Sequence, residues 1–131
     1  MKRILLVEDE SDLLGILDLV LTDAGYEVVQ KQSAEDALQF CEDQVPDMIV
    51  SDIKMGAMDG FSMFERMKSM PRLQRLPFIF ISATADSSWM TKAKKLGATG
   101  YFTKPFDVDE VLKMIQTSVP PAGEKLSKPS A

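Results

Sequence analysis

Histidine is absent from this chain of 131 residues, and cysteine and tryptophan each occur once. Without histidine there is no imidazole acid or base and no ordinary zinc site, so the chemistry left to the chain is that of carboxylates, hydroxyls and lysines. A single thiol, Cys41, forms no disulfide within the chain; its helical surroundings suggest a half-buried group, and a reducing compartment fits. Excess positive charge is also missing. The formal net charge is −5, which argues against a surface built to neutralise phosphates, so no direct contact with nucleic acid is expected. Long apolar runs are lacking too: the stretch from Ile4 to Val7 stops at Glu8, and nothing approaches the roughly 18 residues of a membrane helix. A cytoplasmic setting without membrane contact is the expectation.

What is present is an ordinary globular composition, 45% apolar and 27% charged, in a length that suits one domain. The chain is organised around Pro46-Asp47-Met48-Ile49-Val50-Ser51-Asp52, a short apolar run that delivers one carboxylate, Asp52, into the glycine-containing loop Ile53 to Gly60. Before it, Ile4 to Val7 reads as a first strand, apolar on both faces, and Leu13, Leu14, Leu17, Val20 and Leu21 recur at helical spacing up to a glycine stop at Ala24-Gly25. A short strand over Glu27 to Gln30 follows. Ser33 with Asp36 resembles a capping box and opens a helix that Pro46 ends.

After Asp52, a helix from about Asp59 carries Phe61, Phe64 and Met67 on one face. Pro77 to Ala83 is the fourth strand, Ser87 to Leu96 a helix stopped by Gly97, Gly100 to Pro105 a short fifth strand, and Val108, Val111, Leu112 and Ile115 mark the last helix. Strands alternating with helices imply a parallel sheet, right-handed crossovers and helices on both faces. There is no internal repeat. The Pro/Ser/Lys-rich residues 120–131 read as a flexible tail or linker after a domain over residues 1–119.

In a doubly wound sheet, ligands bind outside the carboxyl ends of the strands. Four of the five strands end there in polar residues: Glu8 and Asp9, Asp52, Ser82 and Lys104. Singly, each has a plain structural account: an acidic helix start, a loop cap, a strand-end hydroxyl, a solvated lysine. Together they make a cluster. Carboxylates about 5 Å apart repel by roughly 3 kcal/mol per pair at an effective dielectric of about 20. One lysine does not balance three such groups, and an all-oxygen site with an open face suits Mg²⁺ and a phosphate.

Glu8-Asp9, Asp52, Met58-Asp59-Gly60, Ser82-Ala83, Gly97-Ala98 and Tyr101-Phe102-Thr103-Lys104-Pro105-Phe106, in this order over about residues 1 to 119, resemble the receiver domain of two-component response regulators. The resemblance implies a flavodoxin-like, doubly wound (βα)5 fold with a five-stranded parallel sheet of order 2-1-3-4-5. It implies that Asp52 is the phosphoacceptor, taking a phosphoryl group from a phosphohistidine on a sensor histidine kinase or histidine phosphotransfer protein. Asp9 and Asp52 would ligate Mg²⁺, or Mn²⁺ in its place, with Glu8 acting through a metal-bound water and the backbone carbonyl of Lys54 completing the set. Lys104 would bind a phosphoryl oxygen, and the Ser82 hydroxyl would close on the phosphoryl group. Tyr101 would then swing inward and reshape the face of the fourth helix, fifth strand and fifth helix for an output protein or domain, or for a phosphorylation-dependent dimer.

By the same resemblance the protein is a switch that promotes its own phosphorylation and autodephosphorylation, with no turnover of an external substrate. A cis Lys104-Pro105 bond is also implied. Three positions depart from the common pattern: Gly56 stands where proline is usual, Ser82 where threonine is commoner, and Lys54 puts a basic side chain at the mouth of the site, where phosphoryl lifetime is tuned. Two rivals use similar parts. A haloacid-dehalogenase-like phosphohydrolase wants a second acid two positions after its aspartate, where this chain has Lys54. A flavin-binding or phosphate-independent binding module could occupy the same fold.

Overall fold

The computed structural model describes residues 1–83 and 86–121. The expected tail therefore lies outside the described residues from position 122 onward. Among the described residues ten elements alternate: β1 (Arg3–Val7), α1 (Ser11–Asp23), β2 (Glu27–Lys31), α2 (Ala34–Phe40), β3 (Met48–Asp52), α3 (Gly60–Lys68), β4 (Phe78–Ser82), α4 (Ser87–Leu96), β5 (Gly100–Thr103) and α5 (Val108–Ser118). All four strand pairings are parallel, and the sheet order is β2-β1-β3-β4-β5.

Alternation along the strands divides the core in two, since successive side chains point to opposite faces. Leu5, Val7, Ile49, Phe78 and Phe80 face α2, α3 and α4, where Ala37, Leu38, Phe61, Phe64, Met67 and Ala93 cover them. Ile4, Leu6, Met48, Val50, Ile79 and Ile81 face α1 and α5, meeting Leu14, Leu17, Leu21, Val111 and Ile115. Strands β3 and β4 are buried along their whole length, as central parallel strands covered on both faces must be. On the first face the aromatics interlock: Phe64 lies 4.4 Å from Phe78 and 5.6 Å edge-on to Phe80 by ring centroids.

Local chemistry sets the element ends. Ser33 caps α2 by accepting from the Asp36 amide at 3.1 Å, and Asp59 caps α3 by accepting from the Ser62 amide at 2.8 Å. Gly97 ends α4 at φ +96°, a left-handed position that favours glycine. Helix α2 stops at Phe40, earlier than Pro46 alone would require. Its end is held by Arg72, whose guanidinium donates to the carbonyls of Cys41 and Glu42 at 3.0 and 2.7 Å. Cys41, expected half-buried, is fully buried beneath this end, and burial pushes its thiol up to about 11 against the pull of Arg72. At the far end of the chain, Tyr26 donates its hydroxyl to the Val119 carbonyl at 2.6 Å, and Pro121 is buried beside Gly25.

Candidate functional site

The carboxyl ends of β1, β3, β4 and β5 open into one cavity of about 550 Å³, lined by Asp9, Glu10, Asp52, Lys54, Ser82, Ala83, Asp86, Trp89 and Lys104. Asp52 closes β3 and is only 7% exposed. Its Oδ1 accepts from the Ile53 amide at 2.6 Å, which fixes the carboxylate and leaves Oδ2 for Lys104. The turn that follows is tight. Gly60 donates its amide to the Ile53 carbonyl at 2.7 Å, and a Cβ added at Gly60 would lie 2.3 Å from the Asp52 carbonyl oxygen. Glycine is what lets α3 start directly against the acid-bearing loop. Gly56, within that loop, adopts φ +50°, a conformation closed to proline.

Lys104, one residue past β5, gathers the acids. Its Nζ lies 3.0 Å from Asp52 Oδ2, 3.2 Å from Glu8 Oε1 and 2.8 Å from Glu10 Oε1. The Lys104-Pro105 bond is cis, and the Lys104 amide donates to the Ser82 carbonyl at 2.7 Å, tying the β5 end to β4. Burial opposes the ammonium charge, but the hydrogen bonds to Glu10 and Asp52 and the charges of Asp52 and Glu8 outweigh it and hold the group above the usual lysine range. Glu8 responds the other way. Desolvation by burial and the neighbouring Asp52 charge raise its carboxyl to about 7, against the Glu10 amide and Lys104.

Glu8, Asp9, Asp52, Lys54, Ser82 and Lys104 lie at this end of the sheet, whereas Tyr101 faces a separate groove beside α4. Oxygens of Glu8, Glu10 and Asp52 lie within 4.8 Å of one another. Asp9 lines the cavity but is exposed and stays outside that trio. The sequence marks Glu10 only by its place in the acidic string after β1, and its ion pair with Lys104 depends on a loop that periodicity does not describe. Ser82 is buried at the end of β4, and Lys54 lines the mouth. Tyr101 lies on β5, half-buried, facing a groove with Met90, Ala93 and Lys94 of α4.

Three carboxylates, those of Glu8, Glu10 and Asp52, converge around the Lys104 ammonium, and Lys54 lines the same cavity. The carboxylate set is hard, anionic and oxygen-only, and it suits a hard cation rather than a soft one. Among the described residues no helix is long and apolar enough to cross a membrane.

The molecule is similar to several known proteins. Sporulation initiation phosphotransferase F of Bacillus subtilis is 29% identical over 119 residues, covering 91% of this chain and 94% of the relative. The chemotaxis response regulator CheY4 of Vibrio cholerae superposes with a TM-score of 0.84 at 28% identity, over 91% of this chain and 99% of that one. The receiver domain of the sensor histidine kinase PA1611 from Pseudomonas aeruginosa, with a magnesium ion coordinated in its active-site cleft, superposes with a TM-score of 0.80 at 27% identity, over 88% and 95%. The family model of the response regulator receiver domain matches residues 4–116. With its sheet order, its strand-end acids and this match over most of its length, the chain belongs to the response regulator receiver domain family.

Proposed function

We propose that this receiver domain is a phosphoacceptor switch in a two-component phosphorelay, with Asp52 as the residue phosphorylated. The observation that carries the reading is the Lys104 ammonium, which joins the ends of β5, β3 and β1 by lying within 3.2 Å of Asp52, Glu8 and Glu10 at once. A carboxylate anchored on one oxygen and paired to a lysine on the other is oriented for attack on phosphorus. The Asp52 oxygen forms the new bond, the bond from phosphorus to the donor imidazole nitrogen breaks, and the nitrogen keeps the electron pair and takes up a proton. No histidine lies in these 131 residues, so the phosphohistidine stands outside them, on a histidine kinase or histidine phosphotransfer protein.

In this reading Asp9, Asp52 and the Lys54 backbone carbonyl would hold Mg²⁺, with Glu8 acting through a water; the magnesium ion in the active-site cleft of the PA1611 receiver domain supports a metal in this cleft. The bound ion supplies charge neutralisation for the transferring group. Lys104 exchanges its carboxylate partners for a phosphoryl oxygen, and Ser82 turns its hydroxyl to the same group. Tyr101 moves inward, and the α4-β5-α5 face carries the change to an output protein in the cytoplasm. The domain releases its own phosphoryl group but turns over no external substrate. Lys54, standing where a phosphohydrolase of the haloacid-dehalogenase type needs its second acid, disfavours that rival.

The test uses a small acyl phosphate with Mg²⁺ and intact-mass detection. The wild type should gain one phosphoryl group, whereas Asp52→Asn and chelator-treated wild type should gain none; equal uptake by Asp52→Asn would falsify the assignment.

A further inference from the structure

Glu10 stands at a helix start without serving it. It is the N-cap residue of α1, yet its side chain makes no capping bond, and glutamate is not among the residues favoured at that position. Its carboxylate turns instead to Lys104. At 2.8 Å this is the shortest of the three ion pairs of the ammonium, ahead of Asp52 at 3.0 Å and Glu8 at 3.2 Å. The loop is bent to allow it: the Glu10 amide donates to Glu8 Oε2 at 3.2 Å, so both glutamates present their carboxylates to one lysine. Glu10 is exposed, whereas Glu8 and Asp52 are buried. Glu10 and Lys104 line both the Asp52 cavity and a neighbouring groove with Leu13, Ile16 and Phe106, so the pair stands in the wall between them.

We infer that Glu10 is a positioning residue for Lys104: it gives the ammonium a carboxylate to rest on when Asp52 is engaged elsewhere, and so keeps the lysine beside the phosphoacceptor. The inference rests on the phosphoacceptor reading and deepens it. In that reading Asp52 is taken by a divalent cation and then by the incoming phosphoryl group, and Lys104 has to give it up without leaving the site. A doubly charged ion beside Asp52 and Glu8 cancels their attraction for the ammonium and repels it. Glu10 lies outside the residues assigned to that ion, so its pair with Lys104 is the one that persists. A lysine released to solvent would regain the rotamer freedom of its four-carbon stem and need recapture before each transfer. A weak tether is enough to prevent this. The usual strength of an exposed ion pair corresponds to an effect of about two- to fivefold.

The experiment measures Mg²⁺ binding to the full chain by calorimetry, and the rate of phosphoryl uptake from a small acyl phosphate over a range of Mg²⁺ concentrations. Glu10→Gln keeps the shape of the side chain and removes its charge. It should weaken Mg²⁺ binding about two- to fivefold, because the untethered lysine competes for Asp52, and should slow uptake by a similar factor even at saturating Mg²⁺. In Lys104→Met, with no ammonium to hold, Glu10→Gln should leave Mg²⁺ affinity unchanged. Asp12→Asn, which removes another exposed acid of the same string, should alter neither quantity. Should Lys104→Met fail to fold, the uptake rate of Glu10→Gln at saturating Mg²⁺ still decides, since only an effect on the lysine survives saturation. Three results overturn the inference alone: native uptake by Glu10→Gln at saturating Mg²⁺, Mg²⁺ binding weakened equally in Lys104→Met, as a metal ligand would give, or an equal effect of Asp12→Asn, as a general field would give. Absence of phosphoryl uptake by the wild type overturns this inference together with the phosphoacceptor reading.

Discussion

Glu8 carries the sharpest electrostatic conflict in the molecule, being only 3% exposed, close to Asp52 and raised to about 7 chiefly by burial and then by that neighbour. Its folded state binds a proton more tightly than the unfolded chain, whose value is near 4.5. Between these two values the folded protein holds a proton that the unfolded one lacks, so the Glu8 contribution to stability falls as pH rises through the window and levels off above it. In metal-free protein, Glu8→Gln should therefore flatten the dependence of the urea midpoint on pH between about 5 and 7.5. An unchanged slope would show that Lys104 offsets the Glu8 charge fully. Lys104, raised in the folded state, contributes stability below the ordinary lysine range and loses it only in strong alkali. That Glu8, Asp52, Ser82 and Lys104 share one end of the sheet was legible in the sequence, because each ends or directly follows a strand, where topology alone decides direction. The ion pair between Glu10 and Lys104 was not, because it depends on the irregular loop after β1.

Among the elements, the junction of β3 with α3 is the most constrained. Gly60 leaves no room for a methyl group, since its nearest neighbours are the Asp52 carbonyl and the Ile53 backbone rather than a yielding side chain. Gly60→Ala should lower stability by about 1–3 kcal/mol and displace the Asp52 loop, reducing phosphoryl uptake as well. A variant with native urea midpoint and native uptake would refute this. The same element shows how far periodicity reaches. Phe61, Phe64 and Met67 at helical spacing placed α3, and the expected start at about Asp59 lies one residue before the observed one. The early end of α2 was not readable, because it depends on Arg72, some thirty residues further on. Nor could spacing alone have brought Trp89 to Lys54, a contact between a loop and a helix that share no periodic pattern.

At the scale of the whole molecule, two cores share one sheet and the last helix is tied back to the first layer. The Tyr26 hydroxyl and the Val119 carbonyl are 93 positions apart in sequence and meet in a buried bond of 2.6 Å. Tyr26→Phe leaves that carbonyl without this donor and should destabilise the domain by about 1–2 kcal/mol in urea titration, with phosphoryl uptake retained. A loss well under that range would mean that the carbonyl finds another donor. The alternation of short apolar strands with helices made the parallel, two-faced sheet legible from the outset. The residues that pin its last helix down were not, since a lone tyrosine carries no pattern. Finally, β4 reads Phe-Ile-Phe-Ile-Ser and is covered on both sides only once α3 and α5 have docked. Until then it is an uncharged β-prone segment open to pairing with other chains, so recovery from denaturant is a race between intramolecular docking and clumping, won at high dilution.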